Sequence, residues 1–267
     1  MSRVIAVTNQ KGGVGKTTTA VNLCAALAEL GQRTLLVDMD PQGNAATGVG
    51  IDPRGLGTSM YQVLLGSADL SDCIQATGID NFAIAPARLE MSGAEIELVS
   101  AFSRELKLRH AIAPIVDRYD YIFIDCPPSL GLLTVNALSA AVEILVPVQC
   151  EYYALEGLGQ LLHNVDMVRD GLNPALVISA IVMVMFDART RLAAEVVADV
   201  RRHFGDRVCR VVIPRTVRLS EAPSVGQPVT VYAPTSRGAI AYHELAREFH
   251  QLSPPASASG GREGTTA

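Results

Sequence analysis

Short apolar runs rich in β-branched residues alternate along this chain with longer segments in which apolar positions recur every three or four residues. The short runs, RVIAVT (3–8), RTLLVD (33–38), FAIAPA (82–87), YIFID (121–125), EILVPV (143–148), LVISAIVMV (176–184) and RVVIP (210–214), predict seven strands. Several are apolar at consecutive positions, as expected of strands covered on both faces. Between them, helical periodicity predicts helices over 16–30, 94–116, 132–141, 155–170, 191–204 and 238–252. This βαβ alternation predicts an α/β fold: a single doubly wound, mostly parallel sheet with helices on both faces. Ligands on such sheets sit at the carboxyl ends of the strands, so residues just past each strand are the first candidates for chemistry. The pattern extends over residues 1–252, read as one domain. The stretch SPPASASGGREGTTA (253–267) lacks apolar periodicity and is predicted to be disordered.

Composition narrows the class. Hydrophobic residues make up 49% of the 267, which suffices for a large core. No apolar run reaches the ~18 residues of a membrane span, and MSRVIAVTNQ lacks the features of a signal peptide. The expectation is a cytoplasmic protein that does not enter a membrane. Five dispersed cysteines without a C-x-x-C pair predict buried, reduced thiols. The net charge of −5 divides unevenly: residues 187–267 carry 11 basic and 8 acidic groups. That basic third is either a polyanion-binding face or a solvated arginine-rich surface.

The chain has three lysines against nineteen arginines, and two of the three, Lys11 and Lys16, lie in NQKGGVGKTTTA (9–20). GGVGKTT follows a strand and opens a helix, the context of a phosphate-binding loop. There the backbone N–H groups of Gly12, Gly13, Val14, Gly15 and Thr18 converge on an anion, helped by the helix N-terminus. Lys16 would reach the β- and γ-phosphates of a nucleotide, and the Thr17 hydroxyl would bind Mg²⁺. The pattern G-x-x-x-x-G-K-[ST] is nevertheless broken, because Gln10 stands where glycine is required. Past the second strand, LLVDMDPQGN places Asp38 and Asp40, where a carboxylate can position an attacking water. Asp38 either contacts magnesium-bound water or caps the turn. YIFID ends in Asp125, which binds Mg²⁺ through water or serves as a helix N-cap.

KGGVGKTT resembles the deviant Walker A motif of the family that includes ParA, MinD, nitrogenase iron protein and arsenical-pump ATPases. The resemblance implies an ATP and Mg²⁺ site in which Lys11 reaches across a homodimer to the partner's phosphates. It also implies that Gly12 lies where the two loops approach. DPQGN resembles the ParA switch region, implying that Asp40 is needed for hydrolysis. MFDARTRLAAEVVADVRRHFGDRV, VIPRTVRLSEAPSVGQPV and SRGAIAYHELAREF resemble chromosomal ParA/Soj proteins, and the motifs run in order from residue 3 to about 250. The family implies ATP-dependent, sequence-independent DNA binding, with matches at Arg189 and Arg218, and hydrolysis stimulated by a ParB-like centromere-binding protein. The expected location is then the cytoplasm, on the nucleoid. Arg191, Arg201, Arg202 and Arg215 are equally well read as solvated or ion-paired. Pro214 matches the segment that packs on adenine. Neither the cluster cysteines of a reductase, nor a C-terminal amphipathic helix, nor a terminal tyrosine cluster, nor an N-terminal helix-turn-helix is found. The alternative is a MinD-like or other cargo-positioning ATPase switch that acts on a protein or membrane without DNA.

Overall fold

A computed structural model describes residues 2–252. The expected tail at 253–267 lies outside the described residues. Eight strands form one sheet: β1 (Arg3–Val7), β2 (Thr34–Asp38), β3 (Gln75–Ala76), β4 (Phe82–Ala85), β5 (Tyr121–Asp125), β6 (Glu143–Gln149), β7 (Val177–Phe186) and β8 (Val208–Pro214). Their order is β3-β4-β2-β5-β1-β6-β7-β8, and every pairing is parallel except β3 with β4. The helices are α1 (Lys16–Glu29), α2 (Asn44–Thr47), α3 (Met60–Leu65), α4 (Leu70–Cys73), α5 (Met91–Glu97), α6 (Lys107–Ile112), α7 (Leu132–Ala140), α8 (Ala154–Gly171), α9 (Arg191–Phe204), α10 (Val217–Glu221), α11 (Val229–Tyr232) and α12 (Arg237–Gln251).

The period of two along each strand divides the core between the two faces. Val4, Ala6, Leu35, Val37, Ile122 and Ile124 face a cluster closed by residues of α3, α5, α7, α8 and α9. Ile5, Val7, Leu36 and Phe123 face the other, closed by α1 and α12. Every residue of β1, β2 and β5 is buried, as their unbroken apolar runs predict. Arg3 opens the first of them as a buried charge. Its guanidinium forms a bidentate pair with Glu143 (2.8 and 2.6 Å), donates to the carbonyls of Phe249 and Leu252, and lies 4.4 Å from the Phe249 ring centroid. The start of β1 is thereby tied to β6 and to the end of α12.

All seven expected strands are present, and β3 is additional. The helix expected over 94–116 is broken. It becomes α5, a loop in which Ala101 is extended and Ser103 has φ 51, and then α6. Leu98 and Leu108 both enter the same core. Ten residues on one continuous helix would leave them roughly 80° out of phase, so the chain breaks to bury both.

Candidate functional site

The loop after β1 is held from below by Asn9. Its side-chain nitrogen donates to the Pro147 carbonyl (2.8 Å), and its oxygen accepts the Lys11 N–H (3.0 Å). Gly13 (φ 75) and Gly15 (φ 81) adopt left-handed conformations that favour glycine. Gly15 is the N-cap of α1 and offers no side-chain cap, which leaves the first-turn N–H groups free for an anion. A Cβ at Gly12 would meet no atom within 4 Å, so within one subunit this position is open. Val14 and Lys16 are buried. The Lys16 ammonium donates to the Lys11 carbonyl (3.3 Å), and burial lowers its pKa against the opposing pull of Asp125 and Asp40.

Asp38 and Asp125 are register partners at the carboxyl ends of β2 and β5. Asp38 accepts the Asp40 N–H (3.0 Å) and the Ala45 N–H (3.3 Å), so its two oxygens shape the loop that follows β2. Asp40 accepts the Gln42 N–H (3.0 Å) and lies near enough for its charge to act on Asp125 and Asp38. Asp125 is buried with neither carboxylate oxygen hydrogen-bonded. The Thr17 hydroxyl lies close enough to ease its charge without completing a hydrogen bond. Burial pushes the Asp125 carboxyl up to about 7, opposed by Thr17 and Lys16 and reinforced by Asp40. Burial, with the charge of Asp125 next, drives Asp38 well above the ordinary carboxylate range. An orphaned buried carboxylate beside a hydroxyl is the hard-oxygen donor set of a magnesium ion, so the residues present fit that ion. Among the described residues, no cluster of three or more His, Cys, Asp or Glu could hold a metal by itself, and all five cysteines are free and buried.

The two loop lysines point in opposite senses. Lys16 is inside, whereas Lys11 is half-exposed and pairs with Glu151 (Nζ to Oε2, 2.6 Å) just past β6. Pro214, at the end of β8, lines a cavity of about 390 Å³ with Gly15, Thr18, Met185, Arg215 and Tyr242. The same Pro214 and Arg215 border a groove of about 620 Å³ that also holds Asp187, Arg189 and Arg237. Arg189 is exposed and paired with Asp187 (2.7 Å), and Arg218, on adjacent α10, pairs with Glu221 (2.8 Å). Arg191 and Arg202 pair along α9 with Glu195 and Asp199, while Arg201 donates to the Arg210 carbonyl.

The fold thus gathers Lys16, Thr17, Asp38, Asp40 and Asp125 at one locus, with Lys11 and Gly12 on its rim and the arginines on a neighbouring surface. Sequence reasoning missed Asn9, Glu151, Met185 and Arg237. Asn9 and Arg237 carried a signal, since one directly precedes the glycine loop and the other opens a helix after Ser236. Met185 has φ 54 at the end of β7, and its side chain lies near Gly15. That placement depends on strand order, which the sequence does not display.

A glycine loop at the end of a central parallel strand, a lysine folded back beneath it and an orphaned aspartate on the next strand define a P-loop nucleotide-binding protein. Residues 2–178 match the family model described as an AAA domain. The chain is 54% identical to the sporulation initiation inhibitor protein Soj of Bacillus subtilis, over 93% of this chain and 98% of Soj. It is 50% identical to the chromosome partitioning protein ParA of Myxococcus xanthus, over 96% and 91%. A Mycobacterium smegmatis structure described as cobyrinic acid a,c-diamide synthase, with bound ADP and magnesium, superposes with a TM-score of 0.82 at 40% identity, over 94% of each chain. The chain belongs to the ParA/Soj family of chromosome-partitioning ATPases.

Proposed function

We propose that the protein is an ATP-dependent dimerising switch that binds nucleoid DNA without sequence preference and is released by hydrolysis during chromosome segregation. The observation that carries this reading is the opposed placement of the two lysines. Lys16 serves its own subunit's phosphates, and Lys11, outside on the rim, is free to serve a partner's. Thr17 and, through water, Asp125 would hold Mg²⁺, which would supply charge neutralisation at the phosphates. Asp38 fixes the loop on which Asp40 orients the attacking water. Pro214 packs on the base. With Gly12 at the rim, two loops meet without a side chain between them.

Arg189 and Arg218 contact DNA phosphates, and release of counterions makes the binding salt-dependent. Their present pairing with Asp187 and Glu221 is between exposed groups and opposes this only slightly. Hydrolysis is slow in the isolated protein and is stimulated by a ParB-like centromere-binding partner, so the protein resides on the nucleoid until that partner discharges it. Retention on random-sequence DNA with a non-hydrolysable ATP analogue, against liposomes as control, tests the reading. Arg189→Glu with Arg218→Glu should abolish retention and leave dimerisation intact. Unchanged retention would remove the arginines from the interface, and binding to liposomes instead of DNA would favour a membrane-acting switch.

A further inference from the structure

We infer that Gly50 and Gly226 are positioning residues, forming a backbone crossing that passes the state of the Asp40 loop to the segment carrying Arg218. The functional consequence for DNA rests on the reading above, but the crossing itself does not. Both glycines adopt left-handed conformations, with φ 80 and φ 66. A Cβ at Gly226 would lie 2.7 Å from the Cα and 3.1 Å from the N of Gly50, and one at Gly50 would lie 3.0 Å from the Gly226 carbonyl oxygen. The neighbours are backbone on both sides, so no rotamer change can relieve the contact.

What meets at this crossing is specific. Gly50 ends the turn after α2, a helix whose first residues are tied to Asp38 through the Ala45 N–H. Gly226 ends the turn that continues from α10. Three residues on, the Val229 N–H donates to the Asn22 side chain of α1 (2.6 Å), and Asn22 donates back to the Thr18 carbonyl (2.7 Å). The phosphate-loop helix and the Asp40 loop therefore each grip the 226–229 segment. A Cβ at Gly226 would also lie 3.4 Å from the Thr47 carbonyl oxygen, and two cavities flank the crossing. One cavity of about 770 Å³ lies between Pro41, Gln42 and Pro53 on one side and Ser224 and Val225 on the other. A second, of about 260 Å³, separates Asn44 from Ala222. The closest backbone approach between the two segments is therefore where a displacement of the loop would be felt.

Its destination is Arg218. Glu221 accepts from Arg218 (2.8 Å) and from the Tyr232 hydroxyl of α11 (3.2 Å). Tyr232 lies beyond the crossing and Glu221 before it, so a shift at residue 226 changes the geometry of the carboxylate that holds Arg218. Nucleotide occupancy releases Arg218 from Glu221 through this route.

Hydrogen exchange of the full chain, with and without a non-hydrolysable ATP analogue and Mg²⁺, tests the inference without DNA. In the wild type, the analogue should change exchange in 217–229 by about threefold or more, along with protection of 9–20. Gly50→Ala and Gly226→Ala should keep the effect at 9–20 and lose it at 217–229. Gly31→Ala carries the same left-handed strain (φ 83) with no atom within 4 Å of its Cβ, and should behave as wild type. Tyr232→Phe, which leaves the backbone alone, should lose the effect at 217–221 and keep it at 226–229, and it serves if neither alanine variant folds. Dimer formation could protect the same amides, so the comparison is repeated on Lys11→Ala, checked as monomeric by light scattering. Absence of the effect there, or its persistence in folded Gly226→Ala, overturns the inference. Failure of the arginine reading would show separately, as unchanged DNA retention in the double charge reversal.

Discussion

Lys11 and Glu151 form an ion pair across the mouth of the phosphate loop, with 2.6 Å between Nζ and Oε2 and both side chains 49% exposed. An exposed pair of this kind is worth only ~0.2–1 kcal/mol. It therefore parks the lysine without locking it. Lys11→Ala should keep nucleotide affinity within about twofold and lose nucleotide-dependent dimerisation, because Lys16 alone faces its own subunit's site. Light scattering with a non-hydrolysable analogue decides this, and a dimer of normal strength would show that Lys11 has no partner to reach.

Asp40 makes one side-chain hydrogen bond, to the nearby Gln42 N–H. Asp40→Ala should therefore cost little stability, ~1 kcal/mol or less. Its effect should fall on turnover: nucleotide binding near wild type, phosphate release slowed by about tenfold or more, and an ATP-bound state that accumulates. Phosphate release beside a fluorescent-nucleotide titration separates these, and a wild-type hydrolysis rate would assign the water to another group.

Asp125, with Asp38 shifted in the same direction by burial, gives the nucleotide-free protein a pH dependence of definite sign. Burial pushes the Asp125 carboxyl up to about 7 from the ordinary 3.8. Between those values the native state holds the extra proton, so stability falls as pH rises through the window. Asp52, Asp120 and Asp187, whose pKa values are lowered by arginine partners, act in the opposite direction, but only below about pH 4. Thermal unfolding without nucleotide should thus show a higher midpoint near pH 5.5 than near pH 7.5, and Asp125→Asn should reduce the corresponding difference in unfolding free energy by on the order of 1–3 kcal/mol. A slope unchanged in the asparagine variant would contradict the burial argument.

Removing Arg3 strands the buried Glu143 carboxylate and frees two carbonyls at the end of α12. Arg3→Ala should cost ~3–5 kcal/mol in urea unfolding. A loss below about 1 kcal/mol would mean that water reaches Glu143 in the folded state.

The strands around the site were legible because their apolar runs are unbroken, the first leading into the glycine loop and the other two ending in Asp38 and Asp125. β3 was not, since it is two residues, Gln75 and Ala76, on an edge where burial leaves no pattern. The break between α5 and α6 was hidden because Ile96, Val99 and Phe102 keep helical spacing in sequence while pointing to solvent in the fold. Glu151 and Met185 escaped for another reason. Their proximity to the phosphate loop depends on β6 lying beside β1 and β7 beside β6, and local periodicity carries no information about strand order. The glycines at 50 and 226 read as ordinary turns until their mutual approach is seen.

The position of β1 in the sheet also bears on how the chain is made. β1 lies between β5 and β6, so neither neighbour exists until residues 121–149 have been synthesised. At about 5–20 residues per second, an apolar strand bearing the phosphate loop remains unpaired for roughly 5–25 s on the ribosome. Shielding is needed first at the earliest strand, and nucleotide can take no part in folding until the chain is more than half complete.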